Sequence, residues 1–102
     1  MYSVNLHPEA EKHLTNHYLY YEEQLTGLGS EFLLSFEACM NYVQRHPLSC
    51  EKKYVNFRMA IIDRFPYGIF YLVNEKRKRI LIGGVYFLKI NPSKIKKGLR
   101  KI

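Results

Sequence analysis

The sequence predicts a single α+β domain with the element order β-α-α-β-β-β, a short strand leading into a helical hairpin and then an antiparallel meander. Three observations carry this. Apolar residues recur at helical spacing between residues 8 and 45, and from about residue 54 the pattern changes to alternation and short apolar runs. The 102 residues, 47% hydrophobic and 15% aromatic, supply one core. No repeat, low-complexity tract or linker divides the chain, so residues 1–102 read as one domain.

Tyr2-Ser3-Val4-Asn5-Leu6 alternates with period two, as a short strand does. Pro8 suits the first turn of a helix, where its missing N–H costs nothing. Ala10, Leu14, Tyr18, Tyr21 and Leu25 then mark one face of a helix over about residues 8–25. Gly27-Leu28-Gly29 interrupts it, and Ser30 is the expected cap of a second helix. Phe32, Leu33, Phe36, Met40 and Val43 form the apolar stripe of that helix, which His46-Pro47 stops. The short connection makes the two helices an antiparallel hairpin.

Val55, Phe57, Met59 and Ile61 alternate with Asn56, Arg58, Ala60 and Ile62, predicting a strand whose apolar face carries the odd-numbered residues. Phe65-Pro66-Tyr67-Gly68 turns the corner into a strand over 69–73. The charged turn 74–78 leads to a last strand over 79–87, where Gly83-Gly84 indicates a bulge. The tail from Lys89 carries six basic residues and no acidic one. Ile95, Leu99 and Ile102 have helical spacing there, but Gly98 weakens the segment, leaving a marginal basic helix or arm.

Charge is distributed unevenly. Residues 1–50 contain two basic and six acidic residues, whereas residues 51–102 contain fourteen basic and three acidic ones. A C-terminal half so basic is suited to an anionic partner, either nucleic acid or an acidic protein segment. No apolar run approaches the length that spans a bilayer, and no signal peptide is visible at the N-terminus; a cytoplasmic protein without membrane partners is expected. Cys39 and Cys50 lack metal-site spacing and read as reduced thiols. His13 and His17, four apart, lack a third ligand and the glutamate of a zinc-protease motif, so a solvated pair is expected. Glu22-Glu23 likewise reads as a solvated helix face. The sequence calls for no metal and no cofactor.

Arg58, followed by Arg64-Phe65-Pro66-Tyr67-Gly68-Ile69-Phe70-Tyr71-Leu72-Val73, resembles the signature of the RelE/ParE superfamily of type II toxin–antitoxin toxins, often labelled plasmid stabilisation proteins. Pro8-Glu9-Ala10, Gly27-Leu28-Gly29 and Pro47 support the resemblance, which covers about residues 2–92. Tyr67 and Tyr71 are expected as core aromatics, and Gly68 as a place where a partner backbone or a bulge comes close.

The resemblance implies a cognate antitoxin and one of two activities. ParE-like members bind DNA gyrase; RelE-like members cleave messenger RNA on the ribosome without a metal, through Lys, Arg and Tyr or His side chains. This sequence keeps little of the nuclease pattern. Phe87 stands where relatives frequently have histidine, Ile90 where they have a second arginine, and Gly68 where nucleases tend to have an arginine. Phenylalanine cannot move a proton, and isoleucine cannot hold a phosphate. The resemblance therefore points closer to ParE. A nuclease would have to rely on Arg58, Lys89 and Tyr86. A target- or nucleic-acid-binding surface would draw on Arg58, Arg64, Lys89, Lys94, Lys96 and Lys97. A non-toxic remnant that binds only antitoxin or nucleic acid is a third reading. Tyr18, Tyr21, Phe32 and Phe36 either pack on the sheet or contribute to antitoxin binding, and the assemblies in view are a homodimer and a toxin–antitoxin hetero-oligomer.

Overall fold

In a computed structural model, which describes residues 1–102, the chain runs β1 (Ser3–Leu6), α1 (Pro8–Gln24), α2 (Leu28–Arg45), β2 (Lys52–Tyr54), β3 (Phe57–Ile61), β4 (Tyr67–Asn74), β5 (Arg79–Phe87) and α3 (Pro92–Leu99). The five strands form one sheet in the order β1-β5-β4-β3-β2. β1 pairs parallel to β5, Ser3 opposite Arg79 through Leu6 opposite Ile82, and every other pair is antiparallel. The α+β class and the hairpin-then-meander order match the sequence. The sequence pattern did not reveal β2, because Lys52-Lys53-Tyr54 has no apolar alternation to mark it.

The helix ends are determined locally. His7 caps α1, its Nδ1 accepting from the Glu9 N–H, while Pro8, Glu9 and Glu11 fill a first turn that favours negative charge. α2 begins at Leu28, earlier than a Ser30 cap allows. Gly27 is its N-cap at φ +92°, a left-handed conformation that favours glycine. The expected Ser30 cap is replaced by Glu22. Its Oε1 accepts from the N–H groups of Gly27 and Gly29, both at 2.9 Å, and of Ser30 at 3.4 Å. One carboxylate on α1 thus satisfies donors that the start of α2 leaves without intrahelical partners. Glu22 is therefore not the solvated residue its sequence neighbourhood suggests.

Both faces of the sheet are covered. The hairpin packs on one through Phe32, Phe36, Met40 and Val43 against Ala60, Ile62, Tyr67, Ile69, Tyr71, Ile80, Ile82 and Val85. On the other, α3 presses Ile95 and Leu99 onto Phe57 and Phe70. β4 is central, and Tyr67 through Tyr71 are all buried. Tyr67 and Tyr71 are core aromatics, as expected.

Two details of β3 differ from the sequence reading. Val55 lies in the β2–β3 turn at φ +51°, 72% exposed, and Ile61 is 63% exposed at the sheet margin. The deepest positions are instead Phe57 on one face and Ala60 and Ile62 on the other. With both faces covered, alternation no longer marks a single buried side. Gly83 is the bulge residue: Phe70 pairs with Gly84 and Tyr71 with Ile82, leaving Gly83 beneath Phe57 and Leu99. The tail helix forms because Asn91 caps it through the Ser93 N–H, Pro92 occupies its first turn, and the sheet buries its apolar side.

Candidate functional site

The residues a nuclease would use are separated by the sheet. Arg58 pairs opposite Tyr71 and shares its face, toward the hairpin. Tyr86 pairs opposite Gly68 on the other face, toward α3, where its ring meets Phe70. Lys89 lies exposed in the turn that follows β5.

Arg58 is also committed. Its Nη1 donates to the carbonyl oxygens of Cys50 at 2.7 Å and Leu48 at 3.3 Å. The buried Tyr71 hydroxyl donates to the Pro47 carbonyl at 3.1 Å. Together they clamp the segment that joins α2 to β2, and burial pushes the Tyr71 phenol well above its usual range. Arg58 still lines an open cleft of about 640 Å³ with Lys52, Lys76 and Arg79 at the β4–β5 turn.

The other candidate cations do not form one patch. Arg64 is 3.5 Å from Glu31 and stacks toward Phe65. Lys96 sits over the Tyr54 ring, while Lys94 and Lys97 face a separate cleft with Tyr86. Phe87 and Ile90 are packing residues: Phe87 meets the Tyr67 ring, and Ile90 joins the apolar cluster under α3. Gly68 does not admit a partner's backbone, since a Cβ there would stand 2.9 Å from Leu88 and 3.0 Å from Met59. Those two side chains hold the space that an arginine would need.

His13 and His17 are not a solvated pair. His13 Nδ1 accepts from the Val85 N–H at 3.2 Å, and His17 Nε2 lies 2.7 Å from the Val85 carbonyl oxygen. Burial lowers both imidazoles below their usual value. No sequence signal predicts this contact, because the residues involved lie 72 and 68 positions apart.

A second surface opens along β3. β2 pairs with it at Arg58 and Phe57, and the Met59 N–H donates to the Glu51 carbonyl at 3.2 Å, so the outer edge has no strand beside it only beyond that N–H, as far as Ile61. α2 flanks that edge with Ala38, Cys39 and the half-exposed Tyr42, forming an apolar groove of about 490 Å³. Of the hairpin aromatics only Tyr42 lines it; Tyr18, Tyr21, Phe32 and Phe36 do not, since Phe32 and Phe36 are buried, Tyr21 stacks on Phe32 and Tyr18 lies against Gly29. Cys39 and Cys50 are free thiols on its walls.

The fold is shared with toxin–antitoxin proteins. A chain of the chromosomal ParDE system from P. aeruginosa superposes with a TM-score of 0.64 at 16% identity, over 87% of this chain and 98% of that one. A chain of the RelBE2 toxin–antitoxin complex from Mycobacterium tuberculosis gives 0.58 at 17% identity, over 84% and 96%. No curated protein matches the sequence significantly. The family model described as the ParE toxin of the type II toxin–antitoxin system parDE matches residues 4–86. Spanning β1 through Tyr86, that match takes in the hairpin and almost all of the sheet, and the chain belongs to the ParE toxin family of type II toxin–antitoxin systems.

Proposed function

We propose that the chain is a ParE-like toxin that acts by binding a cellular target such as DNA gyrase, without hydrolytic chemistry, and that a cognate antitoxin silences it. The observation that carries this reading is the sheet face beneath α3. Phe57, Met59, Phe70, Leu88 and Ile90 fill it with apolar side chains, and Ile95 and Leu99 close over it. General acid–base cleavage of RNA needs titratable groups and cations gathered at one phosphate. Here Arg58 and Tyr86 are on opposite faces, and Arg58 is spent on two carbonyls.

The antitoxin fits the open margin of β3. An extended segment can add its backbone to the edge beyond the Met59 N–H, at Ile61, and set apolar side chains into the groove beside Tyr42. An acidic segment would gain on-rate from the basic C-terminal half.

Inducing the chain alone in a bacterial host tests the activity, with translation and DNA supercoiling followed in parallel. Growth arrest with DNA damage and intact early translation is expected. Rapid loss of translation would replace this reading with the nuclease, and growth without arrest would leave a binding remnant.

A further inference from the structure

Between α1 and α3 lies a cleft of about 300 Å³ walled by Glu9, His13, Tyr86, Lys94, Lys97 and Lys101. Its charge is unbalanced. The ion pairs of the chain are Lys12 with Glu9 and Arg64 with Glu31, so none of the three cleft lysines is paired. Glu9, the one carboxylate on the wall, has Lys12 at 3.5 Å.

The remaining polar groups are donors. Because His13 Nδ1 accepts from the Val85 N–H, its proton resides on Nε2. That ring edge is available as a neutral donor. The Tyr86 hydroxyl lies over Gly98, where a Cβ would collide with it, and no group of the chain accepts its proton. Burial, reinforced by Glu9, raises the phenol above its usual range, so it stays protonated at neutral pH. Gly98, which weakens α3 as a helix, is what allows this approach.

Ammonium groups with neutral N–H and O–H donors converging on a small concavity form an oxyanion site. A metal cation would be repelled by the lysines, and a neutral ligand would leave them uncompensated. We propose that the cleft between α1 and α3 binds a phosphate group, supplied by a nucleic-acid backbone or by free phosphate. The site binds and does not cleave, since His13 offers no free ring nitrogen as a base and Tyr86 keeps its proton. The assignment is independent of the toxin's cellular target.

The test is a titration of the full-length chain, followed by backbone amide NMR at about 50 mM salt, where phosphate contacts are strong. The probes are inorganic phosphate and, separately, a single-stranded oligonucleotide without terminal phosphates. Sodium chloride at matched ionic strength is the control. Saturable shifts of the Val85 and Gly98 amides are expected with at least one probe. Response to the oligonucleotide assigns a backbone phosphate, and response to inorganic phosphate alone assigns the free ion. Tyr86→Phe and Lys97→Gln should each weaken binding about fivefold, the loss of roughly one hydrogen bond. Lys76→Gln, in the β4–β5 turn, removes the same charge as Lys97→Gln and should change binding less than about twofold. The proposal is overturned if neither probe saturates, or if Lys76→Gln weakens binding as much as the cleft variants, since net charge alone would then explain it. Growth arrest is read separately, so failure here leaves the toxin reading intact.

Discussion

His17 Nε2 lies 2.7 Å from the carbonyl oxygen of Val85, and this contact is half of a device by which α1 finishes a sheet edge. β1 covers β5 only as far as Ile82, whose carbonyl accepts from the His7 N–H at 2.9 Å. Beyond it the next outward-facing backbone groups of β5 are those of Val85. Hydrogen-bonding groups along an unpaired edge invite another strand, and here two imidazoles take them up. His13 supplies the acceptor and His17 the donor.

This arrangement makes stability depend on pH. Both histidines are held below their usual value, chiefly by burial. For His13 the neighbouring His17 adds to the effect and Glu9 opposes it, while for His17 the bond to Val85 opposes it. A histidine depressed in the folded state binds more protons when unfolded, so stability rises with pH. The contribution is complete above the unfolded value of about 6.5 and is lost as pH falls below it toward the folded values. Urea midpoints should be level between about pH 7 and 8 and should fall as the pH drops below about 6.5. In a His13→Gln/His17→Gln double variant that slope should flatten. Equal slopes in the two proteins would show that other groups carry the dependence.

Glu22→Ala should cost about 1–2 kcal/mol, because three N–H groups at the start of α2 lose a shared charged acceptor. Glu22→Gln keeps an oxygen and should lose about half as much. Glu23→Ala, at an exposed neighbour, should stay within about 0.5 kcal/mol. Denaturant unfolding of the three variants checks the order. Similar losses for Glu22→Ala and Glu23→Ala would mean that the cap contributes nothing beyond ordinary surface charge.

That pair of glutamates shows how far the sequence could be read. The hairpin, β4, β5 and the bulge at Gly83-Gly84 follow from apolar spacing, proline and glycine, all of which act within a few residues. Glu22 and Glu23 are identical in type and adjacent, and only the loop geometry after Gln24 separates their roles. The roles of His13 and His17 are hidden for the same reason, since their partner is on a strand far along the chain. β3 misled in a different way: covering both faces of the sheet buries Phe57 and Ala60 alike, so alternation points to no single side. The candidate cations were legible as residue types. Their dispersal, with Arg64 on Glu31 and Arg58 on backbone carbonyls, belongs to the tertiary structure alone.

Arg58 should behave as a stability residue whatever else it does. Arg58→Ala removes two bonds to the α2–β2 connection and should cost about 1–2 kcal/mol. Arg58→Lys keeps the charge but not the planar fork, and should recover only part of this. Tyr71→Phe should cost about 1–2 kcal/mol by leaving the buried Pro47 carbonyl without its donor. Thermal unfolding measured alongside growth arrest separates the roles. Loss of toxicity in Arg58→Ala at unchanged stability would place the guanidinium on the target instead of the clamp.

Leu99→Ala tests what α3 does. Leu99 is 1% exposed and, with Ile95, is the means by which this helix holds to Phe57 and Phe70. A buried leucine reduced to alanine costs about 2–5 kcal/mol when the element cannot leave. An eight-residue terminal helix can leave, so the loss should appear as local undocking at a cost near the lower figure. Trypsin should then cut after Lys96 or Lys97 well before the domain unfolds, and a hydrophobic dye should bind the uncovered Phe57 and Phe70. Phe32→Ala, in the hairpin core, should lower the unfolding midpoint further without early cleavage in the tail. If Leu99→Ala instead unfolded the whole domain at the same point as tail cleavage, α3 would be part of the cooperative core. The apolar face could then never be bared in the folded protein, which strengthens the case that no substrate reaches it.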